Sequence, residues 1–233
     1  MSSGWIKTVS KHGPSPGDDQ RRRLGEQRWP MALAVVVVAV LEAFIPDDFR
    51  LFPTWVFPSF LLCFLAVLIV GDPGRIDRQR RWLRVTTNAM IGFIALVTAG
   101  ALIRLMGGII GHAKWASAGQ LLAIGGIIWL TNVIAFALWF WNLDAGGAAA
   151  RAAGSTEVAE AFLFPEMTNP DRVPAGWYPQ FADYLALSFN TALAFSPTDV
   201  SAIRRWAKMM IIVESMMSLA LAALVIARAI NIL

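Results

Sequence analysis

The stretch ASAGQLLAIGGIIWLTNVIAFALWFW, residues 116–141, carries no charged side chain over 26 positions. Wound as an α-helix rising 1.5 Å per residue, it reaches about 39 Å, more than the roughly 30 Å of bilayer hydrocarbon. A surface helix of a soluble protein keeps a polar face at a period of 3.6 residues, whereas apolar residues here occupy most of the circumference.

Four further blocks share this character: residues 29–45, 54–70, 85–105 and 209–230. The whole chain agrees with them, since 57% of its 233 residues are hydrophobic and 15% charged, where a soluble domain holds roughly a quarter charged. The expected fold is therefore all-α, an integral membrane helical bundle of five transmembrane helices with a short re-entrant or interfacial helix. Pro30 stands at a tolerated helix start and Pro46 lies just beyond the first block. Arg21, Arg22 and Arg23 ahead of apolar residues 32–41 also have the look of a secretory signal, but Glu42 and Phe44 make a poor cleavage site and four more blocks follow.

The cations fix an expected orientation. Lys and Arg number 6 before the first block, 1 in residues 46–53, 5 in 71–84, 2 near the end of the third block (Arg104, Lys114), 5 in the stretch 142–208 and 1 (Arg228) at the end of the fifth. By the positive-inside rule the N-terminus is cytoplasmic and the C-terminus outside, in a multi-pass protein of the cell membrane. The net charge of +4 then reflects topology, the partner it implies is the lipid bilayer, and no nucleic acid is expected. Trp29, Trp55, Trp82, Trp115, Trp141 and Trp206 fall at the expected span ends, where an indole reaches headgroups while its ring stays in lipid.

The chain divides into a mostly disordered cytoplasmic tail (1–28), a four-span region (29–141), a cytoplasmic loop (142–182) and a last part (183–233) with a short apolar segment and the final span. The loop carries Glu157, Glu160, Glu166 and Asp171, an acidic surface suited to a cytoplasmic protein partner.

Chemistry-bearing residues are few. Two histidines, His12 and His112, and one cysteine, Cys63, supply too few ligands for a metal or cofactor and exclude a disulfide within the chain, so none is expected. Cys63 reads as a buried thiol inside an apolar run. No phosphate-cradling loop, zinc-protease helix or nucleophile elbow occurs, and the chain is not expected to be an enzyme. The costly residues are the intramembrane acids Glu42 and Glu214. Glu42, one turn from the end of its block, is expected to snorkel to the surface. Glu214 shares a helix face with Ser218 and Ala222, with Ser215 beside it, either as a packing seam or as a surface in contact with water or ions. Asn88, Gln120, Thr131 and Asn132 are expected to bond neighbouring helices.

Residues 183–193 are apolar but only 11 long, about 16 Å as a helix, half a bilayer. The run Asp183-Tyr-Leu-Ala-Leu-Ser-Phe-Asn-Thr191 through Asp199, followed by the final block with Ala227-Arg228, resembles the pore helix, filter and inner helix of the potassium-channel pore domain. Ser188, Phe189, Thr191 and Asp199 match that pattern, while Ala194-Phe195-Ser196-Pro197-Thr198 stands where Thr-Val-Gly-Tyr-Gly belongs, a degenerate, non-potassium filter. Over most of its length the chain resembles an uncharacterised bacterial family of five-span integral membrane proteins, through Trp139-Phe-Trp-Asn-Leu-Asp-Ala-Gly-Gly147, Phe162-Leu-Phe-Pro165 and Ser188 through Asp199.

The pore-domain resemblance and the polar stripe lead to one expectation, a channel-like protein for ion or small-solute permeation, assembled as a homo-oligomer. In it Asn190, Thr191, Ser196, Thr198 and Asp199 line a vestibule and Glu214 with Ser218 faces the pathway. The alternative is a non-conducting membrane scaffold whose acidic loop docks a partner.

Overall fold

A computed structural model describes residues 25–76, 80–111, 117–155, 157–174, 176–193 and 199–232. Its regular structure there is eight α-helices, three single-turn 3-10 helices and two short antiparallel ladders. Helix α1 (Trp29–Ala43) opens on Pro30, whose missing N–H is no loss in a first turn. Helix α2 (Val56–Gly71) closes at Asp72-Pro73-Gly74, and the absence of a Cβ at Gly71 lets the Trp82 ring lie against it, since a Cβ would stand 2.2 Å from that ring. Helices α3 (Arg81–Ile110) and α4 (Ala118–Leu143) follow, the latter started by Ser117, whose hydroxyl oxygen accepts the Gln120 N–H at 3.1 Å. Short helices α5 (Ala148–Ala152) and α6 (Pro165–Thr168) lie in the loop region, before α7 (Phe181–Leu193) and α8 (Arg205–Ile232).

Three of these, α3, α4 and α8, are long and apolar enough to cross a membrane. Helices α1 and α2 are apolar but hold only 15 and 16 residues, about 22 and 24 Å, short of the hydrocarbon thickness. The five-block expectation is thus met at span length by three helices. The first two blocks lose their ends because Phe44 and Ile45 turn out of the helix ahead of Pro46, and Trp55 caps α2 instead of belonging to it.

Helix α4 is the hub, packing against α1, α3, α7 and α8. Two thirds of its apolar window is buried, against about a fifth for α8. One core cluster joins α1, α2, the first half of α3, the second half of α4 and α7; the other joins the second half of α3 (Ala101, Leu105), the first half of α4 (Leu121, Ile124) and the second half of α8 (Leu221, Val225). The partition makes α8 antiparallel to α4. Helix α7 contributes to the first cluster only, so it fills half the depth of the bundle. At the α4–α8 crossing a Cβ on Gly125 would sit 2.9 Å from both Val225 methyl carbons, so glycine sets that approach.

Both ladders lie at the end of the bundle where α4 finishes and α7 and α8 begin. Strand β1 (Glu26–Gln27) pairs with β2 (Arg75–Ile76), and β3 (Phe162–Leu163) with β4 (Ser201–Ala202). Arg28 and Asp72, 6% and 2% exposed, form an ion pair at 3.1 Å beside the first ladder. Residues 25–28, expected in a disordered tail, are therefore built into the fold, and the expectation for residues 1–24 lies outside the described residues.

Three side chains depart from expectation. Cys63 is exposed on the outward face of α2 instead of buried, because the inward positions of that helix are Phe57, Leu61, Leu65 and Leu68. Glu42 does not snorkel and is only 5% exposed, lying under the turn that Arg50 ties back by donating to the Ala43 carbonyl at 2.6 Å. Trp141 does not reach outward either; it is buried, and its indole N–H finds Glu26 at 2.8 Å. Trp29, Trp55, Trp82 and Trp206 are exposed as belt residues would be, and Trp115 lies outside the described residues.

Candidate functional site

Helix α7 owes its place to a periodicity of inward groups. Phe181, Tyr184, Leu187, Ser188, Thr191 and Ala192 are buried on one face, spaced at the three- and four-residue steps that keep a helix stripe together. That face meets α4 and α8 at once. The Ser188 hydroxyl lies 2.7 Å from the Val133 carbonyl of α4 and also contacts the Glu214 carboxyl of α8. One turn deeper, Ser215 donates to the Thr191 carbonyl at 3.2 Å, and Asn132 of α4 donates to Ser218 of α8 at 3.2 Å. Bonded to both α4 and α8 along its length, α7 is part of the bundle.

Ser188 owns one hydroxyl proton and touches two oxygens. The Val133 carbonyl can only accept, so both contacts are hydrogen bonds when the second proton belongs to Glu214, which then donates to Ser188. Glu214 is fully buried and its other carboxyl oxygen, Oε2, has no hydrogen-bond partner among the described residues. A neutral carboxyl tolerates such a place; an ionised one costs several kcal/mol without a partner cation.

The expected vestibule residues separate in the structure. Thr191, Glu214 and Ser218 come together, joined by Ser188, Asn132 and Ser215, but in a closed seam: Glu214 is 0% and Ser218 1% exposed, so neither faces an open pathway. The cause is steric, since α7 lies over the very face of α8 that was expected to meet water. Asn190 is half-buried on the flank of α7 and Asp199 is exposed beyond it; Ser196 and Thr198 lie outside the described residues. Glu42 sits at the far end of α1, apart from all of them. Of the neutral groups, Asn88 accepts from Asn142 of α4, while the Thr131 hydroxyl is buried without a partner among the described residues. Beside the seam an apolar groove of about 340 Å³ runs between α3, α4 and α8, floored by Gly92, Ala95 and Ala99 and reaching Asn132.

A second polar cluster closes the mouth of the bundle. Leaving α4, the chain turns through Ala145, Gly146 and Gly147 with φ of 48°, 80° and 91°, left-handed geometry that glycine adopts without strain and alanine rarely. The turn buries Asp144, which accepts from Tyr184 Oη at 2.5 Å and from the Ala161 N–H at 2.6 Å. Arg151 donates through Nη1 to the carbonyls of Trp141 and Asp144 and stands 4.9 Å from the centre of the Tyr184 ring. Glu26, 2% exposed, accepts from Trp141 Nε1 and from the Phe181 N–H at 2.5 Å. Burial pushes its pKa above the ordinary carboxylate value, and these two bonds and the nearby Arg151 pull back against that. A cavity of about 680 Å³ opens beside the cluster, walled by Asp144, Arg151, Glu160, Glu166, Trp177 and Tyr178.

Sequence reasoning missed Glu26, Asp144, Arg151 and Tyr184. Glu26 sits in a polar run that reads as tail, and Arg151 was absorbed into the topological charge count. The turn Asp144-Ala-Gly-Gly, with an acid directly after a span, was the available signal. No family model, curated protein or solved structure matches the chain.

Proposed function

We propose that the chain is a multi-pass membrane protein of pore-loop design, in which α4, the half-length α7, the return segment and α8 form a permeation element completed by other copies of the chain. In this reading α1 and α2 complete five crossings, the N-terminus and the loop end face the cytoplasm, and the C-terminus lies outside. One observation carries it: α7 starts at the same end as α8, runs alongside it to half depth, and is pinned to α4 and α8 through Ser188 and Thr191. This is the order of outer helix, pore helix, return and inner helix that the sequence of residues 183–228 resembles. A half-helix ending inside a membrane presents its carbonyl end there, which favours a cation. The pathway in this reading runs between copies, past Asn190 and the return segment, because the Glu214 seam is closed within one chain. The large uncovered share of α8 supports an oligomer.

The test is flux from liposomes containing the purified chain, with and without a cation gradient. Cation flux that Asn190→Trp abolishes while Glu214→Gln leaves it intact supports permeation between copies. No flux for any monovalent cation sinks it.

The closed seam also favours a second reading, a non-conducting scaffold whose ordered loop region and 680 Å³ cavity dock a cytoplasmic partner. Recovery of a stoichiometric partner that is lost on deleting residues 155–182 would support that reading over the first.

A further inference from the structure

We propose that Glu26 is a positioning residue for α7, and that the ordered chain before α1 is a latch holding the half-helix in the bundle. The inference rests on the reading of α7 as the working element, but its own evidence is independent of any flux.

A helix leaves its first four N–H groups without intrahelical acceptors, and in a low-dielectric setting each must find one. At α7 the acceptors come from two places. Asp183 reaches back to the Gln180 N–H at 2.7 Å, the local half of a capping box. The Phe181 N–H has no local acceptor and is taken by Glu26, 155 residues earlier in the chain. The other oxygen of the same carboxyl accepts from Trp141 at the end of α4, and the Trp141 and Phe181 rings meet edge to face at 6.0 Å. One side chain therefore fixes the start of α7 against the hub helix.

Its own backbone is fixed in turn. Glu26 pairs with Ile76 and Gln27 with Arg75 in the β1–β2 ladder, Arg28 N–H donates to the Gly74 carbonyl at 3.0 Å, and Arg75 Nη1 donates to the Gly25 carbonyl at 3.0 Å. The Arg28–Asp72 pair closes the same corner. The charged groups around the carboxyl are Arg151, which attracts it, and Asp183, which repels it. The Glu26 carboxyl thus ties the start of α7 to the hub helix, while Ser188 ties its middle to the same helix.

Hydrogen–deuterium exchange of the full chain in lipid nanodiscs tests this. Glu26→Ala is expected to raise exchange of the amides at the start of α7 about tenfold, the equivalent of ~1.4 kcal/mol in local opening, with α3 unchanged. Glu26→Gln keeps an acceptor for one N–H but sets an amide NH₂ against the other, so an intermediate rise is expected, and Trp141→Phe should raise exchange less than Glu26→Ala. Unchanged protection of α7 in Glu26→Ala overturns the latch. If that variant does not insert, unchanged protection in both Glu26→Gln and Trp141→Phe overturns it equally. Liposome flux separates the two readings: exchange that moves while wild type conducts nothing keeps the latch and removes permeation.

Discussion

Ser188 of α7 and Glu214 of α8 meet in a fully buried contact, 26 positions apart in the chain, with the Val133 carbonyl of α4 on the other side of the same hydroxyl. Three helices thus converge on one hydroxyl group, and both contacts are hydrogen bonds when the carboxyl is the donor.

A neutral donor at this position predicts that Glu214→Gln is close to silent, within about 1 kcal/mol, because the amide also donates to Ser188. Glu214→Ala removes the donor and leaves space, for a loss of about 1 to 3 kcal/mol. Thermal midpoints in detergent check the order, and Gln proving worse than Ala would show that the group is ionised.

At the α4–α8 crossing, Gly125→Leu should be destabilising by about 1 to 3 kcal/mol, since even its Cβ overlaps Val225. Gly126→Ala, which faces open space, should match wild type or stabilise it slightly by helix propensity. Paired melts of the two variants read the contrast directly.

The pH dependence around Glu26 has a definite sign. Burial raises its folded pKa above 4.5, so the folded state holds the proton more tightly. The resulting stability is fully present below the unfolded value and is lost as pH rises through the folded one. Asp183, also raised by burial, contributes in the same direction. Glu26→Gln should flatten the fall in thermal midpoint between mildly acidic and neutral pH; an unchanged slope would assign the dependence to Asp183.

Cys63 projects from the middle of α2 on its outward face. Because the thiolate is the nucleophile and does not form in hydrocarbon, neither a permeant nor an impermeant maleimide should label it readily in membranes, whereas denaturation should expose it to both. Rapid labelling by the impermeant reagent from either side would show that this short helix lies in water and not in lipid.

The Arg28–Asp72 pair is nearly inaccessible, so removing one partner leaves the other charge buried without this contact. Arg28→Ala should cost about 3 to 5 kcal/mol, and Asp72→Asn in the same chain should recover part of that. The double-mutant cycle, measured by denaturant midpoint, checks the coupling.

Apolar blocks were enough to place α3, α4 and α8, because long helices of this kind are dictated by composition and length. The shortening of α1 and α2 was harder to see, since Phe44, Ile45 and Trp55 are as apolar as the helices they leave and only backbone geometry excludes them. Glu214 and Ser218 were legible as costly residues on one face, yet not which element covers that face. The answer depended on Ser188, whose hydroxyl is ordinary in sequence and decisive only beside Val133 and Glu214. Glu26, Asp144 and Arg151 were illegible for another reason: their partners lie up to 155 positions away, and polarity near a span end reads the same whether it meets water or a buried amide.

The bond between Glu26 and Phe181 also bears on how the chain is made. Its acceptor lies 155 positions before its donor, so the donor is made long after the acceptor. Throughout that interval the Glu26 carboxyl has no Phe181 N–H to accept from, although Trp141, its other partner, is made first. The carboxyl therefore completes its described bonds only when α7 forms, which makes the seating of the half-helix a late event for the earliest ordered residues.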